Sequence, residues 1–149
     1  MFHNYSDIDA IIDGHVKDGI VFIDYLQLAA FQLCYKAPER LKHLAMKKHI
    51  PIVVLSQLDR SLEHREDTRP TLNDMGNKSD LRRCANSIIF IYRRIYYSCV
   101  DTTDIAEATQ NETELIIVKN AYGEAGIAAA AFDRERVTFC GSGVAPQDI

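Results

Sequence analysis

Two stretches decide the fold: Ile20-Val21-Phe22-Ile23-Asp24 and, after an intervening polar-apolar segment, Ile50-Pro51-Ile52-Val53-Val54-Leu55-Ser56-Gln57. Each is a short, unbroken apolar run rich in β-branched and aromatic residues, and each stops abruptly at polar side chains. That is the pattern of a strand buried on both faces of a parallel sheet. Pro51 stands at the entry of the second run, where a missing N–H is tolerated. Between the two, residues 38–49 place Pro38 and Glu39 early, Leu41, Leu44 and Ala45 on one face, and Lys47 and Lys48 late. First-turn proline and the helix dipole both favour that order. A strand, a helix and a strand in so short a span predict a right-handed parallel crossover unit.

Working outward, residues 7–15 read as a short helix capped by Ser6 or Asp7, with Ile8, Ile11 and Ile12 on one face and Gly14 and Gly19 closing it. Residues 59–79 are polar, with Pro70, Gly76 and Asn77, and predict a long loop holding one helical turn. Ile88-Ile89-Phe90-Ile91-Tyr92 predicts a third buried strand, and 101–111 a polar excursion. Residues 115–118, 127–132 and 136–139 predict three more strands, joined by connections short enough for hairpins. The expected fold is α/β, a parallel sheet finished by antiparallel C-terminal strands, in a single domain over 1–149 whose end, 141–149, frays.

The chain has 149 residues, 47% of them hydrophobic and 26% charged, which suits one hydrophobic core. A net charge of −4 excludes a basic coat over the whole surface. No apolar stretch approaches the ~20 residues that span a bilayer, and the first seven residues hold neither a basic nor an apolar region, so no membrane partner and a cytoplasmic location are expected. Cys34, Cys84, Cys99 and Cys140 lie far apart, and the five histidines share no ligand spacing with them, which argues against structural zinc and for reduced thiols.

In parallel α/β sheets ligands bind beyond the carboxyl ends of the strands, so the residues that stop the apolar runs carry the chemistry. Here these are Asp24, Ser56-Gln57, Arg93-Arg94 and Lys119, a set suited to a magnesium-bound polyphosphate. An acid after a buried strand also serves as a loop or helix cap, so the spacing alone leaves both roles open. From Met75 to Tyr97 five cations (Lys78, Arg82, Arg83, Arg93, Arg94) face one acid, Asp80. Such a segment can track the phosphates of a single strand, or pair with acids on a solvated face. Tyr92, Tyr96 and Tyr97 could stack on bases or pack at the strand end.

Four blocks give these residues a family likeness. Val21-Phe22-Ile23-Asp24-Tyr25-Leu26-Gln27-Leu28, Pro51 to Glu63 with its Leu55-Ser56-Gln57-Leu58-Asp59-Arg60 centre, and Arg69-Pro70-Thr71-Leu72 followed by Ile89-Phe90-Ile91-Tyr92-Arg93 resemble successive motifs of the DnaB-type replicative helicases. The resemblance covers about residues 8 to 140 and implies the distal half of a RecA-like motor with a three-layer P-loop NTPase fold. In that family the motor is a hexameric ring that hydrolyses ATP with Mg²⁺ while moving 5′ to 3′ on single-stranded DNA. The resemblance implies that Asp24 is the magnesium-coordinating Walker B acid and that Gln57 links nucleotide state to the DNA loops. It implies that Lys119 reaches the γ-phosphate of a nucleotide on the adjacent protomer. The DNA-contacting loop maps onto Gly76, Asn77, Lys78, Ser79, Arg82 and Arg83.

The departures are as informative. No glycine is followed by lysine, so no G-x-x-x-x-G-K-[ST] phosphate loop occurs in the 149 residues, and the family's catalytic glutamate is expected upstream of them. Ala121 stands where the family places an arginine finger, a group that contributes on the order of 10³ to 10⁵ in rate. The family's D-L-R-E-S-G loop reads Asp74-Met75-Gly76-Asn77-Lys78-Ser79, and its I-E-Q-D-A-D run reads Leu81-Arg82-Arg83-Cys84-Ala85-Asn86. Two expectations result. One is a divergent helicase motor fragment, inactive as an isolated chain. The other is a non-catalytic module that docks on a complete helicase ring and regulates it.

Overall fold

A computed structural model describes residues 10, 12, 14–25, 37–76, 79–97 and 112–141. The chain divides into two compact units, one formed by residues 1–58 and 77–85 and the other by 59–76 and 86–149.

In the first unit β1 (Val21–Ile23) and β2 (Ile52–Val54) pair in parallel, with Val21 opposite Ile52, Phe22 opposite Val53 and Ile23 opposite Val54. The connection between them carries α1 (Ala37–Lys48), the predicted helix displaced by one residue. Its buried stripe, Ala37, Leu41 and Leu44, meets the face of the strands that carries Val21, Ile23, Ile52 and Val54. Each such side chain contributes about 1.5–3 kcal/mol by leaving water. Ala10, Ile12, Gly14 and His15 are helical, and Ile12 packs on Leu44 and Ile50. The expected partners Ile8 and Ile11 lie outside the described residues.

The end of α1 has a physical cause. His49 takes a left-handed φ of 56°, and the Ile50 N–H donates back to the Ala45 carbonyl at 3.2 Å. Ile50 then packs against Leu44. A left-handed residue, a back-bonding N–H and an apolar contact across the terminus make a Schellman stop. Pro51 follows, where the helix could not continue anyway. A short helix, α2 (Ser79–Cys84), lies on α1 through Leu81, and the Lys42 ammonium donates to the Cys84 carbonyl at 3.0 Å.

The second unit is built on an antiparallel sheet ordered β3 (Ser87–Tyr92), β4 (Glu112–Asn120), β5 (Gly126–Asp133), β6 (Thr138–Gly141). Here two expectations are corrected. The third apolar run pairs antiparallel with β4, so it belongs to this sheet and not to the parallel pair. Its residues alternate, with Ile88, Phe90 and Tyr92 buried and Ser87, Ile89 and Ile91 exposed. An unbroken apolar run does not distinguish a strand covered on both faces from one covered on a single face. The hairpin between β4 and β5 is held by Asn120, which accepts from the Tyr122 N–H at 3.1 Å and donates to the Glu124 carbonyl at 3.4 Å. A side chain at Gly123 would come within 3.0 Å of that amide. At the next turn the Asp133 carboxylate accepts from the Glu135 and Arg136 N–H groups, and these bonds with the Arg136 ion pair hold its pKa below the ordinary value.

The long loop expected over 59–79 contains two 3₁₀ turns, Arg60–His64 and Leu72–Met75, before α2 begins at Ser79. The predicted polar excursion, 101–111, lies outside the described residues, as does 142–149 of the predicted tail.

Candidate functional site

In a parallel pair all strand ends of one kind point the same way. Because Ile23 pairs with Val54 and the Leu55 N–H donates to the Ile23 carbonyl at 3.0 Å, Asp24 and Ser56-Gln57 leave the sheet at the same edge, on adjacent strands. Asp24 and Gln57 are exposed there, and the Asp24–Tyr25 peptide bond is cis. The Ser56 hydroxyl donates to the Gln57 carbonyl at 3.4 Å. Lys119 stands opposite Ile88 near the end of β4, in the other sheet and the other unit. The expectation that one sheet edge holds all three is therefore met by Asp24 and Gln57 and not by Lys119.

Among the described residues, that edge offers the Asp24 carboxylate after β1 and the Ser56 hydroxyl and Gln57 amide after β2. Among the described residues no three carboxylate, histidine or cysteine groups converge on a point that could hold a metal. One exposed carboxylate suits a magnesium ion that arrives with a polyphosphate and keeps several waters. It does not make a free-standing metal centre.

Arg93, expected at the rim, is buried instead. Its guanidinium lies 4.3 Å from the Phe132 ring centroid and 4.8 Å from that of Tyr96, and donates to the Tyr96 hydroxyl at 2.9 Å. Cation–π contact accounts for its place among rings. Tyr92 is buried too, stacked on Tyr97 at 5.5 Å and hydrogen-bonded to Thr68 at 2.9 Å. Burial raises the Tyr97 pKa. Of the three tyrosines, Tyr96 is the one with an exposed ring.

The segment that the resemblance maps onto a DNA-contacting loop is anchored at its start. The Asp74 carboxylate is buried and accepts from the Thr71 N–H at 2.7 Å, the Thr71 hydroxyl at 3.0 Å and Arg65 at 3.0 Å. Gly76 then turns the chain at φ 59° and ψ −144°, a combination that side-chain-bearing residues avoid. Asn77 and Lys78 lie outside the described residues. Ser79 opens α2, and Arg83 forms ion pairs with Glu39 of α1 and, at 3.3 Å, with Asp80. Those two carboxylates raise its pKa, Asp80 first and Glu39 next. The pairing of an arginine here with neighbouring acids was one of the two readings its sequence allowed. Arg82 is half-buried on the same helix.

One link had no signal in the sequence. Arg69 clamps Glu114 of β4 with two parallel bonds, Nε to Oε2 at 2.8 Å and a terminal nitrogen to Oε1 at 2.7 Å, which raises the Arg69 pKa. It fastens the segment before Gly76 to the strand that ends in Lys119 and Asn120.

The model of the DnaB-like helicase C-terminal domain matches residues 12–141. The chain belongs to the DnaB-like helicase C-terminal domain family. It is 38% identical over 134 residues to a probable plasmid replicative DNA helicase of Chlamydia psittaci, covering 79% of this chain and 27% of that protein. It is 32% identical over 126 residues to the replicative DNA helicase DnaC of Bacillus subtilis strain 168, covering 78% of this chain and 26% of that one. The chain thus spans about a quarter of the length of these relatives. Among solved structures it is similar to an isolated ATPase domain, with a TM-score of 0.76 and 30% identity over 93% of this chain and 51% of the other. A DnaB-like replicative helicase whose structure concerns its interactions with primase matches with the same TM-score, at 29% identity over 93% of this chain and 35% of that one. The α/β fold with a parallel pair and an antiparallel sheet is that of these RecA-like helicase domains. No helix among the described residues is long and apolar enough to cross a membrane.

Proposed function

We propose that this DnaB-like chain is the part of an ATP-dependent replicative helicase motor that meets magnesium nucleotide at Asp24 and Gln57 and single-stranded DNA at the loop from Gly76 to Arg83. The observation that carries the reading is the shared end of β1 and β2, where Asp24 and Ser56-Gln57 follow adjacent parallel strands on the same side of the sheet. In that motor, hydrolysis of the nucleotide drives 5′ to 3′ movement along the strand. Asp24 would hold the ion that accompanies the phosphates, and Gln57 would report their presence to the segment that follows it. Lys119 would face a nucleotide on a neighbouring protomer of a hexameric ring.

The DNA contact rests on Lys78, Arg82 and Arg83 with Gly76, Asn77 and Ser79. Fluorescence anisotropy with a labelled single-stranded oligonucleotide tests it. Binding should be weak, independent of sequence and sensitive to salt, and Arg82→Ala/Arg83→Ala should reduce the dependence on log salt by about one unit per lost phosphate contact. Binding untouched by that pair, or by salt, rejects the loop as the contact surface.

A second reading, a non-catalytic module that docks on a complete helicase ring, draws on two observations. Arg83 already has Glu39 and Asp80 as partners, and Ala121, whose N–H donates to the Asn86 carbonyl at 2.9 Å, has no charge to offer a phosphate.

A further inference from the structure

Helix α2, which carries Arg82 and Arg83, is held on α1 by packing, by a hydrogen bond and by charge. Leu81 packs on Ala37 and Leu41, the Lys42 ammonium donates to the Cys84 carbonyl at 3.0 Å, and the Arg83 guanidinium pairs with the Glu39 carboxylate. Glu39 lies 44 residues before Arg83, in the first turn of α1, where the helix dipole favours an acid. Its Oε1 accepts from Arg83, whereas its Oε2 is buried and has no hydrogen-bond partner among the described residues. Removing Arg83 would strand a half-buried carboxylate, and a stranded charge costs more than the intact pair contributes. Asp80 also meets Arg83, at 3.3 Å, but from three residues away on the same short helix and with both side chains exposed. Such pairs contribute little.

We propose that Glu39 is an affinity-setting latch for single-stranded DNA: it holds Arg83 back from phosphate, and Arg83 takes the strand only when Glu39 releases it. This rests on the DNA reading under Proposed function and concerns the regulation of that same surface. The physical basis is an exchange of ions. An unpaired arginine that takes a phosphate releases a cation from the strand, which drives binding and makes it salt-dependent. An arginine already neutralised by a carboxylate must give that carboxylate up, and the freed carboxylate takes up a cation of its own. The net release then vanishes, and the driving force with it. Around Arg83 two carboxylates flank one guanidinium, so a strand approaching this point meets a surplus of negative charge.

The test is fluorescence anisotropy of a labelled oligothymidylate with the 149-residue chain across a salt series. The parent is compared with Glu39→Gln, Asp18→Asn, Arg83→Ala and Glu39→Gln/Arg83→Ala. Glu39→Gln keeps the shape of the side chain and removes its charge. It should tighten binding about tenfold at about 50 mM salt and steepen the dependence on log salt by about 0.7, the share of one added single-strand phosphate contact. Asp18→Asn makes the same change in net charge at an exposed position and should stay within about twofold of the parent, since solvent screens it. The gain should disappear in Glu39→Gln/Arg83→Ala, which should bind as Arg83→Ala does. Equal tightening by Glu39→Gln with and without Arg83, or by Asp18→Asn, overturns the latch in favour of overall charge and leaves the DNA reading standing. Salt-sensitive binding that is the same in the parent and Glu39→Gln overturns the latch alone as well. Absence of binding in both, at every salt concentration, rejects the DNA reading and the latch with it.

Discussion

The Asp74 carboxylate is buried at 5% exposure and surrounded by donors. Burial pushes its pKa up, but the Thr71 N–H, the Thr71 hydroxyl and Arg65 together outweigh it, and the net shift is downward. A carboxyl whose folded pKa is depressed lends stability that is fully present above the unfolded value of about 3.9 and is lost as pH falls through the folded one. Asp74→Asn should therefore cost about 1–3 kcal/mol at pH 7, and the gap from the parent chain should shrink as pH drops below about 4. Urea unfolding at neutral pH and at strongly acidic pH measures it; a gap of constant size at both would contradict this account. At this scale the sequence was legible where chemistry is local. That Asp24 and Gln57 follow adjacent strands at one sheet edge is readable because Asp24 directly ends one apolar run and Ser56-Gln57 ends the other. The Arg69–Glu114 clamp is not, because its partners are 45 residues apart and meet only once β4 is placed. Arg93 misleads for the opposite reason: it follows a strand as a rim residue does, but Phe132 and Tyr96 draw its guanidinium inward.

Helix α1 illustrates which element boundaries a sequence reveals. Its proline, acid and lysines mark both ends, and the structure places it over Ala37–Lys48 against the expected 38–49. Its stop is less visible, since the left-handed position that glycine usually fills is held by His49. An L side chain in that conformation costs about 1–2 kcal/mol. His49→Gly should recover about 1 kcal/mol, partly offset by added freedom in the unfolded chain, whereas His49→Val should destabilise. The shift of the urea midpoint at unchanged slope reads both. The β3 strand was harder because five apolar residues in a row carry no period. Its partner β4 and its alternation arise from pairings that composition does not encode.

For the whole molecule, the decisive quantity is how many groups stabilise one transition state. The 149 residues contain no phosphate loop, and Ala121 stands where the family resemblance would place an arginine finger. We expect the isolated chain to release phosphate from ATP no faster than buffer, because groups that act together lose their effect together. A steady-state phosphate-release assay decides it, and turnover that vanishes in Asp24→Ala would refute the expectation. The α/β class and the order of strands and helix were legible from apolar runs and their spacing. Their division into a parallel pair and a separate antiparallel sheet was not, since the runs do not state which strand neighbours which.

The strand that opens the antiparallel sheet also bears on how the chain survives in solution. Ser87-Ile88-Ile89-Phe90-Ile91-Tyr92 has no charge, no proline and no glycine, and as the first strand of its sheet it has one edge without a strand partner among the described residues. Such a hexamer, with Ile89 and Ile91 turned outward, is a template for stacking identical segments into cross-β fibrils. We expect aggregation of the free chain to rise with concentration through β3, read by thioflavin fluorescence and light scattering. Ile89→Lys or Ile91→Lys, on the exposed face of the strand, should then suppress fibril growth.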